Sequence, residues 1–203
     1  MSGTPKILYE GKAKQVWEHE DPNFYVMHFK DSATAFNNKK KAEIEGKGVL
    51  NQRISAKIFQ YLASHGIPTH YVRSLNDTDM LVQKVSIIPL EVVIRNRAAG
   101  SLCKRLGIQE KQELNPPIVE YYLKNDALED PLINNDHVRL LNLASAEDLA
   151  SIRAMALKIN DLMVSFFAGI GIQLVDFKLE FGRTVSGALL LADEISPDGC
   201  RLW

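Results

Sequence analysis

Cysteine is scarce in this chain. Its 203 residues include two, Cys103 and Cys200, and neither belongs to a CxxC pair or a Cys/His metal spacing. That excludes a disulfide framework and a structural zinc site, and predicts free thiols in a reducing, cytoplasmic setting. Charge of either sign is in no excess: 24 Lys and Arg stand against 25 Asp and Glu, a formal net charge of -1. No overall field recruits nucleic acid or an anionic membrane, so anions must be held by local clustering. Long apolar runs are also missing. No uncharged stretch approaches the roughly 20 residues needed to cross a bilayer, and the opening MSGTPKILYEGKAK lacks the apolar core of a signal peptide. Internal repeats, low-complexity tracts and a disordered tail are not visible. What remains is 46% hydrophobic and 24% charged, an ordinary globular balance in one large domain or two small lobes.

The first third reads as short strands over Lys6 to Tyr9, Lys14 to His19 and Phe24 to Phe29, separated by turn residues. Val49, Leu50, Ile54, Ile58, Phe59 and Leu62 recur at helix spacing, with Gly66 and Pro68 as stop signals. Residues 69–75, 79–87 and 89–95 predict further strands, and Ala98 to Leu106 a short helix ending at Gly107. Residues 108–140, with Pro116, Pro117 and Pro131, read as loop-rich. A second long helix starts near Ser145, where Ser-Ala-Glu-Asp matches a capping box. Its stripe is Leu149, Ile152, Met155, Ile159, Leu162, Met163 and Phe166, ended by Gly169 and Gly171. Ile172 to Phe181 and Ala188 to Ile195 close the chain as strands. The pattern is α+β and mostly antiparallel, with a lobe boundary near residues 85 to 90.

The most informative segment is LVDFKLEFG, Leu174 to Gly182. On a strand, residues two apart share a face. Asp176, Lys178 and Glu180 line one side; Val175, Phe177, Leu179 and Phe181 line the core side. A solvated outer face with intrastrand charge pairing is the plain alternative. The next segment, ALLLADEIS, stays apolar until Asp193 and reads as buried on both faces. A two-residue Ser186-Gly187 loop would pair Val185 with Ala188 and, counting outward, Glu180 with Asp193. Opposed Cβ atoms lie ~5 Å apart. Two carboxylates that close need a cation between them, and magnesium is the economical choice. A one-residue slip would remove the contact.

By analogy, this order of acid, lysine, chelator, hairpin and second chelator is also that of kinase-type phosphoryl-transfer sites. Such enzymes cover their nucleotide with a β-turn-β flap. EGKAKQVW, Glu10 to Trp17, fits: Gly11 lets the backbone close on phosphate, and Lys12 and Lys14 bring charge. An ordinary basic turn is the bland reading. In IPLEVVIRNRAAGSLCKRLG, Glu91, Val93 and Arg95 share a strand face. Arg95 and Arg97 lead into the small-residue turn Ala98-Ala99-Gly100-Ser101. Arginine, serine and a following helix N-terminus make a phosphate-binding combination. A surface Glu91–Arg95 salt bridge is the alternative.

Taken in order, GKAK, IPLEVVIRNRAAGSL, LKNDALEDP, LVDFKLEFG and DEISPDGCRLW resemble the phosphoribosylaminoimidazole-succinocarboxamide synthase (SAICAR synthetase) family of purine biosynthesis, over essentially the whole chain. Members of that family continue for a few dozen residues beyond RLW, usually into further helix; the sequence here stops at Trp203. The resemblance implies a two-lobed SAICAR synthase-like fold, kinase/ATP-grasp-like, with antiparallel sheets and a nucleotide cleft between lobes. Residues 1–87 would form an ATP-covering lobe and 88–203 an α+β lobe with the metal and ribonucleotide site. It implies the ATP-dependent joining of L-aspartate to carboxyaminoimidazole ribonucleotide (CAIR), giving SAICAR, ADP and phosphate, with Mg2+. A cytoplasmic homo-oligomer, a dimer, is expected, with small molecules as its partners and neither nucleic acid nor membrane.

Carried over by position, the resemblance puts Lys12, Ala13 and Lys14 on the ATP phosphates. Val82 to Lys84 would meet the adenine through the backbone, with Lys84 also on the phosphate side. Glu180 and Asp193 would carry magnesium on the nucleotide. Arg95, Ser101 and Arg201 would grip the ribonucleotide phosphate, and Glu91 the imidazole amino group. Asp176 and Lys178 would flank the reacting carboxylate, and Asp130 would bind or deprotonate the incoming amine.

Other features read as bland. Lys39-Lys40-Lys41 suits a solvated loop, and His19, His28, His65, His70 and His137 show no ligand spacing. Cys103 reads as a helix-packing residue, while Tyr121 and Tyr122 could pack a loop or brace substrate. A small-molecule or protein kinase is the competing function, but DFK and DEI stand where HRD and DFG signatures are expected. A non-catalytic nucleotide-binding module is a third reading. It would not need Glu91, Arg95 and Ser101 around a second anion.

Overall fold

The computed structural model describes residues 6–35 and 40–203. Five strands precede the first helix: β1 (Ile7–Glu10), β2 (Lys14–Glu18), β3 (Phe24–Phe29), β4 (Ser32–Ala35) and β5 (Lys40–Glu43). Then follow α1 (Lys47–Ser64), β6 (Tyr71–Ser74), β7 (Asp79–Gln83), β8 (Ser86–Ile87), β9 (Leu90–Arg97) and α2 (Ser101–Leu106). The chain continues through β10 (Glu113–Leu123), β11 (Leu132–Ile133), α3 (Asn135–Leu140), α4 (Ala146–Ala168), β12 (Leu174–Arg183), β13 (Leu189–Ala192) and β14 (Cys200–Leu202). Among the described residues this is the α+β, antiparallel pattern expected. Two compact units emerge: residues up to Ser86 with Thr184–Leu190, and Ile87–Arg183 with Leu191–Trp203.

In the first unit, β1-β2-β3-β7-β6 form one antiparallel sheet and β4-β5 a separate pair. Met27, Phe29, Met80 and Val82 pack with Ala56 of α1, flanked by Tyr25 and Tyr71. Helix α1 has no cap of its own at Gly46, which sits at φ +79°. Asp31 supplies one, accepting hydrogen bonds from the N–H groups of Gly46 and Gly48 at 3.1 and 2.8 Å. Those donors would otherwise be orphaned at a positive helix end. Leu50, expected in the apolar stripe, is 60% exposed; Asn51, Gln52 and Ser55 are buried in its place. The buried face is rotated because Gln52 Nε2 reaches inward to Ser74 Oγ at 2.6 Å. Lys40 and Lys41 begin β5 rather than a loop; Lys39 and the side chains of all three lysines lie outside the described residues.

The second unit is built on a sheet ordered β11-β10-β9-β12-β13, with β14 and β8 also paired to β12. Strand β12 alternates as its sequence requires. Val175, Phe177, Leu179 and Phe181 are buried, each worth about 1.5–3 kcal/mol relative to exposure. They belong to the same core as Ile152, Ile159 and Met163 of α4. Ser145 Oγ accepts from the Asp148 N–H, and Asp148 answers from its side chain, so the predicted capping box forms. Such caps are worth ~1 kcal/mol.

Two expectations fail here. Residues 113–123 are not loop but the long strand β10, paired through Ile118–Leu123 with β9. The register is irregular between Glu113 and Ile118, and that break accommodates Pro116 and Pro117, which cannot donate to a ladder. The hairpin after β12 also differs. Thr184 N–H donates to the Ala188 carbonyl at 3.0 Å, and Thr184 Oγ1 accepts from Ala188 N–H. Thr184, not Val185, therefore faces Ala188. Thr184 can satisfy that end of the turn through its hydroxyl, as Val185 cannot; Val185 is left almost fully exposed. Strand β13 ends at Ala192, and Asp193 lies just beyond it at φ +63°.

Candidate active site

Opposite residues of neighbouring strands share a face. Asp176 stands opposite Arg95 on one side and Arg201 on the other; Lys178 stands opposite Val93, which faces Glu120. Tyr122 stands opposite Glu91. The face away from α4 is therefore polar across four strands. It is not the solvated outer face of the plain reading, since Asp176, Arg95 and Glu180 are buried. Charges removed from water this way are tolerated only when paired, and the pairs fall into two clusters.

The first cluster centres on Arg95, which is 5% exposed. Its Nε donates to Glu120 Oε2 at 2.7 Å and Nη1 to Asp176 Oδ2 at 2.9 Å. Nη2 donates to Ser101 Oγ and to the Tyr122 hydroxyl, both at 3.2 Å. Arg201 Nη1 donates to the same Asp176 oxygen at 3.0 Å. Arg105 donates to Glu120 Oε1, and to the Tyr122 hydroxyl at 3.1 Å. Burial favours the neutral form of Arg95, but its bonds to Glu120 and Tyr122 outweigh that and hold the guanidinium charged. Burial pushes the Asp176 carboxyl up, against the pull of Arg201 and Arg95. Burial, with the Asp176 charge beside it, also pushes the Cys200 thiol up to about 12. Gly100 turns the chain into α2 at φ 56°, ψ -124°, and a Cβ there would lie 2.6 Å from an Arg201 nitrogen. Only glycine allows both that conformation and that approach.

The second cluster lies one and two steps along β12. Lys178 Nζ donates to Glu91 Oε1 at 2.8 Å and to Glu180 Oε1 at 2.9 Å. Lys124 Nζ donates to the same Glu180 oxygen at 2.7 Å. Burial opposes the Lys178 charge, but Glu180, Asp193 and Glu91 together raise its pKa well above the usual lysine range. Asp193 thus acts on the same ammonium as Glu180, although the hairpin register does not set them face to face. The alternative Glu91–Arg95 surface pair does not form: Glu91 goes to Lys178, and Arg95 to Glu120 and Asp176.

The remaining sequence-derived candidates carry bonds of their own. Asp130 accepts from the Asn125 N–H at 2.8 Å and closes the loop between β10 and β11. In the first unit, Gly11 N–H donates to the Lys14 carbonyl, while the Ala13 and Lys12 carbonyls accept from Lys30 N–H and Ser32 Oγ. These bonds brace the GKAK turn from behind. Val82 is buried in the core, and the Gln83 and Lys84 N–H groups are engaged by the His70 and Asn23 carbonyls. The exposed Lys84 ammonium lies 5.3 Å from the Tyr25 ring centroid, within cation–π range.

Glu120, Lys124 and Arg105 were not singled out as site residues from the sequence, and Tyr122 was left between loop packing and bracing substrate. The signal was present in VEYYLK, where Glu120, Tyr122 and Lys124 alternate with apolar residues. Reading the proline-flanked segment as loop concealed it.

Metal binding can be judged from the donors. Glu180 and Asp193 both act on the Lys178 ammonium, and carboxylate oxygens are the hard donors that magnesium takes. Among the described residues no group of three or more His, Cys, Asp or Glu forms a cage. Phosphate oxygens and water would have to complete the coordination. No helix among the described residues is long and apolar enough to cross a membrane.

The family profile described as SAICAR synthetase matches residues 7–203. The phosphoribosylaminoimidazole-succinocarboxamide synthase of Bacillus mycoides is 56% identical over 198 residues, which cover 98% of this chain and 83% of that protein. The crystal structure of that synthase from Ehrlichia chaffeensis superposes with a TM-score of 0.94 at 46% identity, covering 98% of this chain and 85% of the other. A SAICAR synthetase solved in complex with ADP gives a TM-score of 0.93 at 49% identity, over 96% of this chain and 83% of the other. The chain belongs to the SAICAR synthetase family.

Proposed function

We propose that this chain is an ATP-dependent ligase that joins the amine of L-aspartate to the carboxylate of CAIR, giving SAICAR, ADP and phosphate in purine biosynthesis. The observation that carries this reading is the layout of the polar face. Arg95, Asp176 and Arg201 sit at one level, Lys178 with Glu91 at the next, and Glu180 with Lys124 beyond. Steps of two residues along a strand span about 6.6–6.8 Å. A phosphate-bearing ligand held by the arginines would therefore bring a second anionic group to Lys178, beside the carboxylates suited to a nucleotide's metal.

A carboxylate is a poor acyl donor because its leaving group would be oxide. In the proposed sequence a CAIR carboxylate oxygen attacks the γ-phosphorus of ATP, and ADP leaves. The aspartate amine then attacks the acyl carbon, and phosphate departs with that oxygen. Lys178 stays protonated, so it neutralises charge on the reacting carboxylate and does not act as a base. Glu91 holds that ammonium and meets the imidazole amino group. Asp176, whose carboxyl burial has raised, orients the arginines on the phosphate and flanks the reacting carboxylate with Lys178. Asp130 receives the amine and takes the proton that it loses on forming the amide. Glu180 and Asp193 would hold Mg2+, which supplies charge neutralisation on the transferring phosphoryl group when bound. Lys12, Ala13 and Lys14 serve the ATP phosphates; the backbone of residues 82–84 and the Lys84 ammonium complete the nucleotide contacts. We place residues 1–87 as the ATP-covering lobe and 88–203 as the ribonucleotide lobe of a cytoplasmic homodimer.

Positioning is expected to supply much of the rate. The test is ADP release by the purified chain with Mg2+. Release that requires CAIR and aspartate together supports ligation. Release with an alcohol acceptor and without aspartate would overturn it in favour of a kinase.

A further inference from the structure

Arg95 has little left with which to bind a ligand. Four of the five N–H donors of a guanidinium are committed to Glu120, Asp176, Ser101 and Tyr122. Two neighbouring arginines are more open. The Arg105 and Arg201 side chains are 31% and 38% exposed, against 6% for Arg95. Arg201 hangs on Asp176, and Arg105 on Glu120. Ser101 Oγ accepts from Arg95 at 3.2 Å and from Arg105 at 3.4 Å, so its own proton is left to donate elsewhere.

Glu120 is the buried counterpart of Asp176. Oε2 takes Arg95 Nε and the Tyr122 hydroxyl, at 2.7 and 2.8 Å, while Oε1 takes Arg105. Both its oxygens are thus spent on aligning two guanidiniums and the phenol between them. Three arginines against two carboxylates leave one positive charge, which suits an anion.

We propose that Arg105 is a further direct contact for the ribonucleotide phosphate, beside Arg95 and Arg201, and that Glu120 is its positioning residue. The inference rests on the ligase reading, because it takes the anion to be a substrate's phosphate. A carboxylate that merely stood nearby would repel a phosphate, and neutralising it would tighten binding. A carboxylate that aims an arginine has the opposite sign: neutralising it weakens binding, because the amide of Gln would turn a donor toward Arg105.

The test is Glu120→Gln in the full chain, assayed for KM and kcat with CAIR, ATP and aspartate varied in turn. Loss of one charge-assisted contact predicts a CAIR KM raised about tenfold or more, with the KM values for ATP and aspartate and kcat within about twofold. An unchanged or lowered CAIR KM in the folded variant overturns the proposal. Should Glu120→Gln fail to fold, Arg105→Gln on the exposed side of α2 carries the test; a raised CAIR KM is expected, and an unchanged one overturns the contact. A wild-type chain with no CAIR-dependent turnover would overturn the ligase reading, and this inference with it. Wild-type turnover with unaffected variants would overturn this inference alone.

Discussion

Replacing Arg95 with methionine keeps much of the side-chain length and removes the charge on which the first cluster is built. Arg95 is 5% exposed and donates to Glu120 at 2.7 Å and to Asp176 at 2.9 Å. Breaking a buried pair by deleting one partner costs about 3–5 kcal/mol, because the other charge stays buried. Here each abandoned carboxylate keeps a second cation, Arg105 for Glu120 and Arg201 for Asp176. The lower end, about 3 kcal/mol, is therefore expected. For a chain of this size each kcal/mol lowers Tm by about 2–4 °C, so thermal unfolding followed by circular dichroism should shift down by about 6–12 °C. The double variant Arg95→Met with Glu120→Gln discharges one of the abandoned acids. Its loss should fall short of the summed single losses by about 1–2 kcal/mol. A Tm within about 2 °C of wild type, or strict additivity, would show that the cluster does not bear stability in the way its distances imply.

Three further outcomes follow. Gly100→Ala forces a Cβ against Arg201 at a backbone geometry suited to glycine; a loss of about 1–3 kcal/mol and a raised CAIR KM are expected from calorimetry and kinetics, and an unchanged KM would detach Arg201 from the phosphate. Cys200, its thiol pushed from 9.0 up to about 12, should alkylate about a thousandfold more slowly than an ordinary thiol near pH 8, tenfold per pKa unit, as read by peptide mass spectrometry. Because its folded pKa is raised, its stability contribution is complete below about pH 9 and lost as pH climbs toward 12; Cys200→Ala should flatten that alkaline decline in denaturant titrations. Asp193→Asn should abolish turnover and leave Tm within about 2 °C, and near wild-type activity would remove the metal assignment.

Much of the second unit was legible because β12 obeys a simple period. Four large apolar residues alternating with Asp176, Lys178 and Glu180 dictate a strand with one core face. What alternation does not say is whether the polar face meets water. That depended on Arg95 and Arg201 arriving from other strands and Lys124 from just past β10, a long-range fact. The capping box at Ser145 and the Gly107 end of α2 were readable because both are local. Strand β10 was hidden by Pro116 and Pro117, which local rules assign to loops and which the irregular register accommodates. The hairpin count erred by one residue because glycine at 187 suggested a two-residue turn, whereas the Thr184 hydroxyl and backbone both bond to Ala188. Asp130 shows the converse problem: its acid is plain in the sequence, yet its bond to the Asn125 N–H is what the fold displays.

Activation of a carboxylate beside the Lys178 ammonium is the claim on which the functional account turns, and it dictates the fate of one oxygen atom. CAIR labelled with 18O in its carboxylate, turned over with unlabelled ATP and aspartate, should deliver label into the released phosphate, read by the 31P isotope shift or by mass spectrometry. Phosphate free of label, formed at the same rate as SAICAR, would mean that water accepted the phosphoryl group, and the proposed chemistry at this face would be wrong.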